Sequence, residues 1–148
     1  MHGGHEIGIY DGEWAINDFS NASLFRREMR HGFGIFTAYP SGSYYEGQWV
    51  SDMKNGMGRM IEPDGTVYDG AWKDNQQNGQ GKMILTNGTF FEGTFVNGKK
   101  HGPGKFFWDD TSTFVGNFIM DKMEGHGVYK WADGTGYDGE WSGNLMHG

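Results

Sequence analysis

Cysteine is absent from this chain of 148 residues, so disulfides and thiolate chemistry are excluded, and a reducing compartment is compatible with it. Positive charge is scarce: 12 Lys and Arg stand against 19 Asp and Glu, a formal net charge of −7. Nucleic-acid binding rests on Lys and Arg neutralising phosphates, so the balance argues against that class and, less strongly, against an anionic membrane surface. The opening Met1-His-Gly-Gly-His-Glu6 lacks the basic and apolar regions of a signal peptide. No apolar run approaches the ~20 residues that cross a bilayer. The expectation is a soluble, cytoplasmic chain.

What is abundant is glycine, 27 residues, and a repeat accounts for most of it. Tyr45, Tyr68, Phe91, Phe114 and Tyr137 stand 23 residues apart, and each opens the phrase aromatic-x-Gly-x-aromatic, closed by Trp49, Trp72, Phe95, Phe118 and Trp141. Tyr10-Asp-Gly-Glu-Trp14 is a further copy, 35 residues before the next. A fixed period of this size means one small unit stacked repeatedly. The chain therefore divides into a lead-in, 1–9, and an array, 10–148, whose units begin at 10, 45, 68, 91, 114 and 137. The last unit is unfinished at His147-Gly148, so either the chain is a piece of a longer array or its open strand edge is completed by a second molecule.

Within each phrase the aromatic, Gly and aromatic alternate, so they share one face of a β-strand. A second phrase follows, as in Asn55-Gly-Met-Gly58 and Asn78-Gly-Gln-Gly81, and then a turn such as Pro63-Asp-Gly65. Each unit is two strands and two turns. Pairing Trp49 with Gly56 places Gly47 opposite Gly58, Tyr45 opposite Met60 and Glu46 opposite Arg59. The same rule gives Asp69–Lys82 and Glu92–Lys105, and in the next unit Val115–Val128. Both charges vanish together there, as cross-strand pairing requires. The first unit departs by setting Asp11 against Ile35. A three-residue loop with Gly65 left-handed keeps Met60 opposite Tyr68 and all the aromatics on one face. Thr111 stands where that glycine belongs, so either Thr111→Gly stabilises or this turn has another geometry. The expected object is all-β: an elongated single-layer antiparallel sheet without a globular core, with indoles such as Trp49 lying over bare glycine backbone.

These phrases resemble MORN repeats, Tyr-x-Gly-x-Trp followed by Gly-x-Gly, from Tyr10 to Gly148. Departures are Phe at two units, Val115 for the usual acid and Thr111 for a turn Gly. The resemblance implies β-hairpin arrays without catalytic activity, found in ciliary radial-spoke heads, cytoskeletal scaffolds, myosin partners and junctional membrane proteins, and appended to lipid kinases and methyltransferases. The family name records membrane recognition; the better-supported role is protein binding along the groove.

Other motifs carry less. Gly134-Thr-Gly-Tyr-Asp-Gly139 matches a dinucleotide fingerprint but runs from a turn into a strand, not onto a helix. His31, His101 and His147 share one slot before Gly, and equivalents ~10 Å apart cannot converge on a metal. Glu46, Asp69, Glu92 and Asp138 form a row without a nucleophile–base arrangement, and no enzyme activity, cofactor or metal site is expected. The functional feature is the aromatic face, which a single layer leaves uncovered. The expected partner groove is Tyr45, Trp49, Met60, Tyr68, Trp72, Met83, Phe91, Phe95, Phe106, Phe114, Phe118, Tyr129, Tyr137 and Trp141. An insertion, 17–30, supplies Leu24, Phe25, Arg26, Arg27, Met29 and Arg30 as a second docking element, with Ser23–Arg30 read as a short helix. The reading is a non-catalytic protein-interaction scaffold, cytoskeletal or ciliary, in a larger assembly or as a homodimer through the open edge. The alternatives are an acidic-lipid module using Lys54, Arg59, Lys82, Lys99, Lys100 and Lys105, or a regulatory appendage of an enzyme.

Overall fold

The computed structural model describes residues 7–18 and 26–147. They form twelve strands: β1 Ile7–Asp18, β2 Arg26–Tyr39, β3 Tyr44–Val50, β4 Met53–Ile61, β5 Val67–Lys73, β6 Gln76–Ile84, β7 Phe90–Val96, β8 Lys99–Phe107, β9 Thr113–Ile119, β10 Lys122–Lys130, β11 Gly136–Ser142 and β12 Leu145–His147. They make one antiparallel sheet in chain order, and the described residues include no helix.

The register expected from the charges holds. Glu46 faces Arg59, Asp69 faces Lys82, Glu92 faces Lys105, Val115 faces Val128 and Asp11 faces Ile35. The pairing of Trp49 with Gly56 does not: Trp49 pairs Lys54, and Gly56 pairs Trp72 on the other side. The hairpin closes tightly at Ser51-Asp52, both at positive φ (48° and 68°), as a type I′ turn requires. The two residues this saves reappear as a bulge between Gly58 and Lys54, and the equivalent irregularity recurs at β5–β6, β7–β8 and β9–β10.

Each tight turn is also stitched to the preceding repeat. The backbone N–H of Asp52, Asn75, Asp121 and Asn144 donates to the carbonyl of Arg30, Lys54, Lys100 and Met123. In return their side-chain oxygens accept the N–H of Arg30 (2.7 Å), Lys54 (2.9 Å), Lys100 (2.8 Å) and Met123 (2.8 Å). These exchanges satisfy backbone groups that the bulge takes out of the ladder.

The connecting turns follow the three-residue form. Gly65 N–H donates to the Glu62 carbonyl (2.9 Å) with φ +96°, and Met60 faces Tyr68. Thr111 N–H donates to Trp108 in the same way (3.1 Å) with φ +74°, so the geometry is unchanged and the strain falls on a β-branched residue. Thr111→Gly is therefore expected to raise stability by about 1 kcal/mol, the net of relieved left-handed strain and added chain entropy. Thermal melting at one concentration checks it; an unmoved or lowered midpoint would show that the strain is absorbed elsewhere.

The helix expected over Ser23–Arg30 is overturned where it is described. Arg26 to Arg30 lie in β2 and pair with Asp18 to Trp14, because β1 continues past the Trp14 phrase and offers them backbone partners. Leu24 and Phe25 lie outside the described residues.

The expectation of a sheet without a core is also corrected. Tyr45, Trp49, Tyr68, Trp72, Phe91, Phe95, Phe114, Phe118 and Trp141 are all buried and form one continuous cluster. The glycines make it possible. A Cβ on Gly58 would sit 2.4 Å from Tyr45 Cζ, and one on Gly104 would sit 2.5 Å from Phe91 Cζ. The rings occupy the space those side chains would fill, so one layer buries its own apolar groups.

Candidate partner-binding faces

The rings of the phrases interlock edge to face along the sheet. Each second aromatic meets the first aromatic of its own unit and that of the unit before: Trp49 with Tyr45 (5.0 Å) and Tyr10 (5.5 Å), Trp72 with Tyr68 (5.2 Å) and Tyr45 (5.3 Å), Phe95 with Phe91 (5.3 Å) and Tyr68 (5.0 Å). Phe118 and Trp141 continue it, bridging Phe114 to Phe91 and Tyr137 to Phe114. The polar ends are satisfied. The hydroxyls of Tyr45, Tyr68 and Tyr137 donate to the carbonyls of Gln48, Ala71 and Glu140, and the indole N–H of Trp49, Trp72 and Trp141 donates to the carbonyls of Gly34, Gly58 and Gly127. Burial pushes the Tyr45 and Tyr68 hydroxyls well above the ordinary phenol range. The ring over the glycine pair is thus the first aromatic, not the indole as the sequence suggested; the indole reaches back to the previous unit.

This burial sorts the fourteen expected groove residues. Tyr45, Trp49, Tyr68, Trp72, Phe91, Phe95, Phe114, Phe118 and Trp141 lock the sheet together and offer a partner little surface. Met60, Met83, Phe106, Tyr129 and Tyr137 pack half-buried against them and remain reachable. Trp108, which the sequence reading passed over, stacks on Phe106 (4.7 Å) and tilts against Tyr129 (5.2 Å); Trp131 extends this row at 39% exposure. Both stand two residues beyond a ladder position, which alternation along a strand would have flagged.

A row that is polar in its first four members and methionine in its last two runs beside it. Arg30, Lys54, Gln77, Lys100, Met123 and Met146 each pair with the second aromatic of a phrase. Arg30 therefore belongs to the framework rather than to an inserted element. Its guanidinium lies 4.5 Å from the Trp49 ring and pairs with Asp52 (3.3 Å). Lys54 points its ammonium at Tyr45 (5.5 Å) and Trp72 (5.6 Å); burial, then the charge of Arg30, lowers its pKa, opposed by Glu62. Lys100 pairs with Asp121 (3.7 Å) and borders a hollow of about 280 Å³ with Phe106, Trp108, Phe118 and Met123. Of the expected insertion residues, Met29 is half-buried opposite Ala15, and Arg26 and Arg27 are placed only as strand residues.

The opposite face carries two rows. One is Glu46, Arg59, Asp69, Lys82, Glu92 and Lys105, successive neighbours from β3 to β8, continued by Val115 and Val128. The other, missed in the sequence, is Tyr44, Ile61, Val67, Ile84, Phe90 and Phe107, all half-buried, with Phe90 and Phe107 stacked at 4.5 Å. It recurs immediately before and after the ladder residues, so the period contained it. A shallow trough of about 480 Å³ lies alongside, bounded by Gln80, Glu92, Pro103, Lys105, Asn117 and His126. The cations proposed for lipid are divided: Lys54 and Lys100 are on the aromatic face, while Arg59, Lys82 and Lys105 alternate with acids on the other. Among the described residues no group of His, Asp and Glu is placed to hold a metal ion.

The MORN repeat profile matches residues 25–44, 45–67, 68–90, 91–113, 114–136 and 137–148. No curated protein sequence matches the chain. Solved structures that match it include the TCP domain of SAS-4 (dCPAP) of Drosophila melanogaster in complex with a proline-rich motif of Ana2 (dSTIL). That match has 12% identity over 84% of this chain and 77% of the other, with a TM-score of 0.30.

Proposed function

Because the chain belongs to the MORN-repeat family, we propose that it is a non-catalytic scaffold holding a protein partner on the accessible part of its aromatic face. The observation that supports this reading is the row Met60, Met83, Phe106 and Tyr129, half-buried and extended by Trp108 and Trp131, with Lys54 and Lys100 beside it. Soft and aromatic side chains next to cations suit an extended segment or amphipathic helix that carries acidic residues along one edge. The deeply buried rings hold this row in place and do not themselves grip the ligand. The division of basic residues between two faces counts against an acidic-lipid surface, which needs its cations on one side. The family's settings make a cytoplasmic cytoskeletal or axonemal assembly the proposed context, on membership alone.

Amine-reactive crosslinking of the native protein, read by mass spectrometry, is expected to place partner crosslinks at Lys54 and Lys100 rather than at Lys82 and Lys105. With the partner so identified, Met83→Gln together with Trp131→Ala is expected to weaken binding at least tenfold without changing the melting midpoint by more than a few degrees. Charge-dependent sedimentation of the wild-type chain with acidic liposomes at physiological salt would reverse the order of the two readings.

A further inference from the structure

The row Glu46, Arg59, Asp69, Lys82, Glu92, Lys105 alternates in sign without interruption across six adjacent strands. Among the described residues none of the six closes an ion pair with another, although they face each other in register; the ion pairs present are elsewhere. Arg59, Asp69, Glu92 and Lys105 are exposed. Beside them the apolar row from Tyr44 to Phe107 is half-buried along its length, with the ammonium groups of Lys82 and Lys105 at 4.5 Å and 5.9 Å from the Phe90 and Phe107 rings. A row alternating − + − + − + reads + − + − + − in reverse. It is therefore complementary to a reversed copy of itself.

We infer that this face binds a second copy of the chain, back to back, about a two-fold axis that runs parallel to the strands between β5 and β6. That rotation keeps each row on the same row of the other copy and reverses its order. Glu46 then faces Lys105, Arg59 faces Glu92 and Asp69 faces Lys82 of the second copy, and each contact occurs twice, as an isologous interface demands. The apolar row matches equally: Tyr44 meets Phe107, Ile61 meets Phe90 and Val67 meets Ile84. No like charges meet. A two-fold axis running across the strands along the charged row would set Glu46 on Glu46 and Arg59 on Arg59, so the pattern selects the axis parallel to the strands. Stacked sheets of aligned strands pack ~10 Å apart, a spacing these side chains fill. Six strands and two rows cover ~30 Å by ~14 Å, roughly 800–1,000 Å² summed over both copies, at the low end for specific interfaces, so the dimer is weak and concentration-dependent. Both aromatic faces point outward, so the dimer presents two partner surfaces and does not compete with the scaffold role.

Sedimentation equilibrium from low to several hundred micromolar tests it. The wild-type chain is expected to pass from monomer to dimer mass. Arg59→Glu and Glu92→Lys, both at exposed positions, should each weaken association at least tenfold, with thermal melts confirming that each variant is folded. Mixed in equal amounts, the two should associate again, because the heterodimer sets the Glu at 59 against the Lys at 92 and keeps the native Arg59–Glu92 contact. An intramolecular effect of either substitution would not be cured by mixing. Monomer mass throughout, a dimer indifferent to both substitutions (as one joined through β12 would be), or failure of the mixture to recover each overturns the proposal.

Discussion

Gly70→Ala is expected to lower the stability of the array by about 3 kcal/mol, the upper part of the range for overpacking a close-fitting site. Gly70 sits between Gly58 and Gly81 on its two neighbouring strands. A Cβ there would lie 2.5 Å from the Gly81 Cα and 2.6 Å from the Gln80 carbonyl oxygen, both backbone atoms fixed by the ladder, and 3.0 Å from the Tyr68 hydroxyl. No rotamer change relieves a clash with backbone. Either the sheet opens locally or the Tyr68 ring leaves its seat, which breaks its contacts with Trp72 and Phe95. The midpoint should fall by roughly 6–12 °C on the scale of 2–4 °C per kcal/mol for a chain of this size. Gly88→Ala is the control: a Cβ there meets nothing within 4 Å, and only its φ of +93° resists the change, a cost of about 1–2 kcal/mol. Equal losses at the two positions would mean that backbone strain, not ring packing, accounts for the glycines.

The register was legible because the residues that set it vary together. Glu46–Arg59 and its equivalents are read directly from charge, and Val115–Val128 shows both partners changing at once. The turn around Gly65 was legible because only a three-residue loop preserves the aromatic face. What lay hidden was the two-residue offset that pairs Trp49 with Lys54. Ser51 does not announce a left-handed turn, although Asn97-Gly98 in the equivalent place does, and the stitch from Asp52 to Arg30 that stabilises it spans two repeats. Single strands also cannot tell whether a ring lies on a surface or on its neighbour. The sequence placed Trp49 over its own glycines and in an open groove; in three dimensions it bonds Gly34 and disappears beneath Tyr10 and Tyr45. The candidate site is therefore only partly the one expected: its half-buried ladder survives, its buried rings become framework, and Trp108 and Trp131 join it.

Phe91→Ala should have the largest effect of any single ring truncation, about 3–5 kcal/mol, because it falls where the array depends on packing alone. At Tyr45 and Tyr68 the ring is tethered by its hydroxyl to Gln48 and Ala71, and the partner indoles of Trp49 and Trp72 are tethered to Gly34 and Gly58. Phe91, Phe95, Phe114 and Phe118 carry neither group, so two consecutive units lack both bonds. Phe91 compensates by contact: it is 1% exposed, meets Phe95 at 5.3 Å and Phe118 at 5.0 Å, and leans on Phe106 at 5.8 Å. Removing it uncouples the units on either side at once. Arrays in which each repeat contacts only its neighbours unfold at their weakest interface. Hydrogen exchange in Phe91→Ala should therefore accelerate first across β7, β8 and β9, while β4 and β5 keep their protection, and the single melting transition should broaden or split. Phe91→Tyr is the opposite test. It offers the missing hydroxyl to the Thr94 carbonyl, the position corresponding to Gln48 and Ala71, and should raise stability by about 0.5–1.5 kcal/mol. A Phe91→Ala chain that melts within about 1 kcal/mol of wild type, with exchange spread evenly over the sheet, would show that the stitched turns, not the interlocked rings, carry the coupling between repeats.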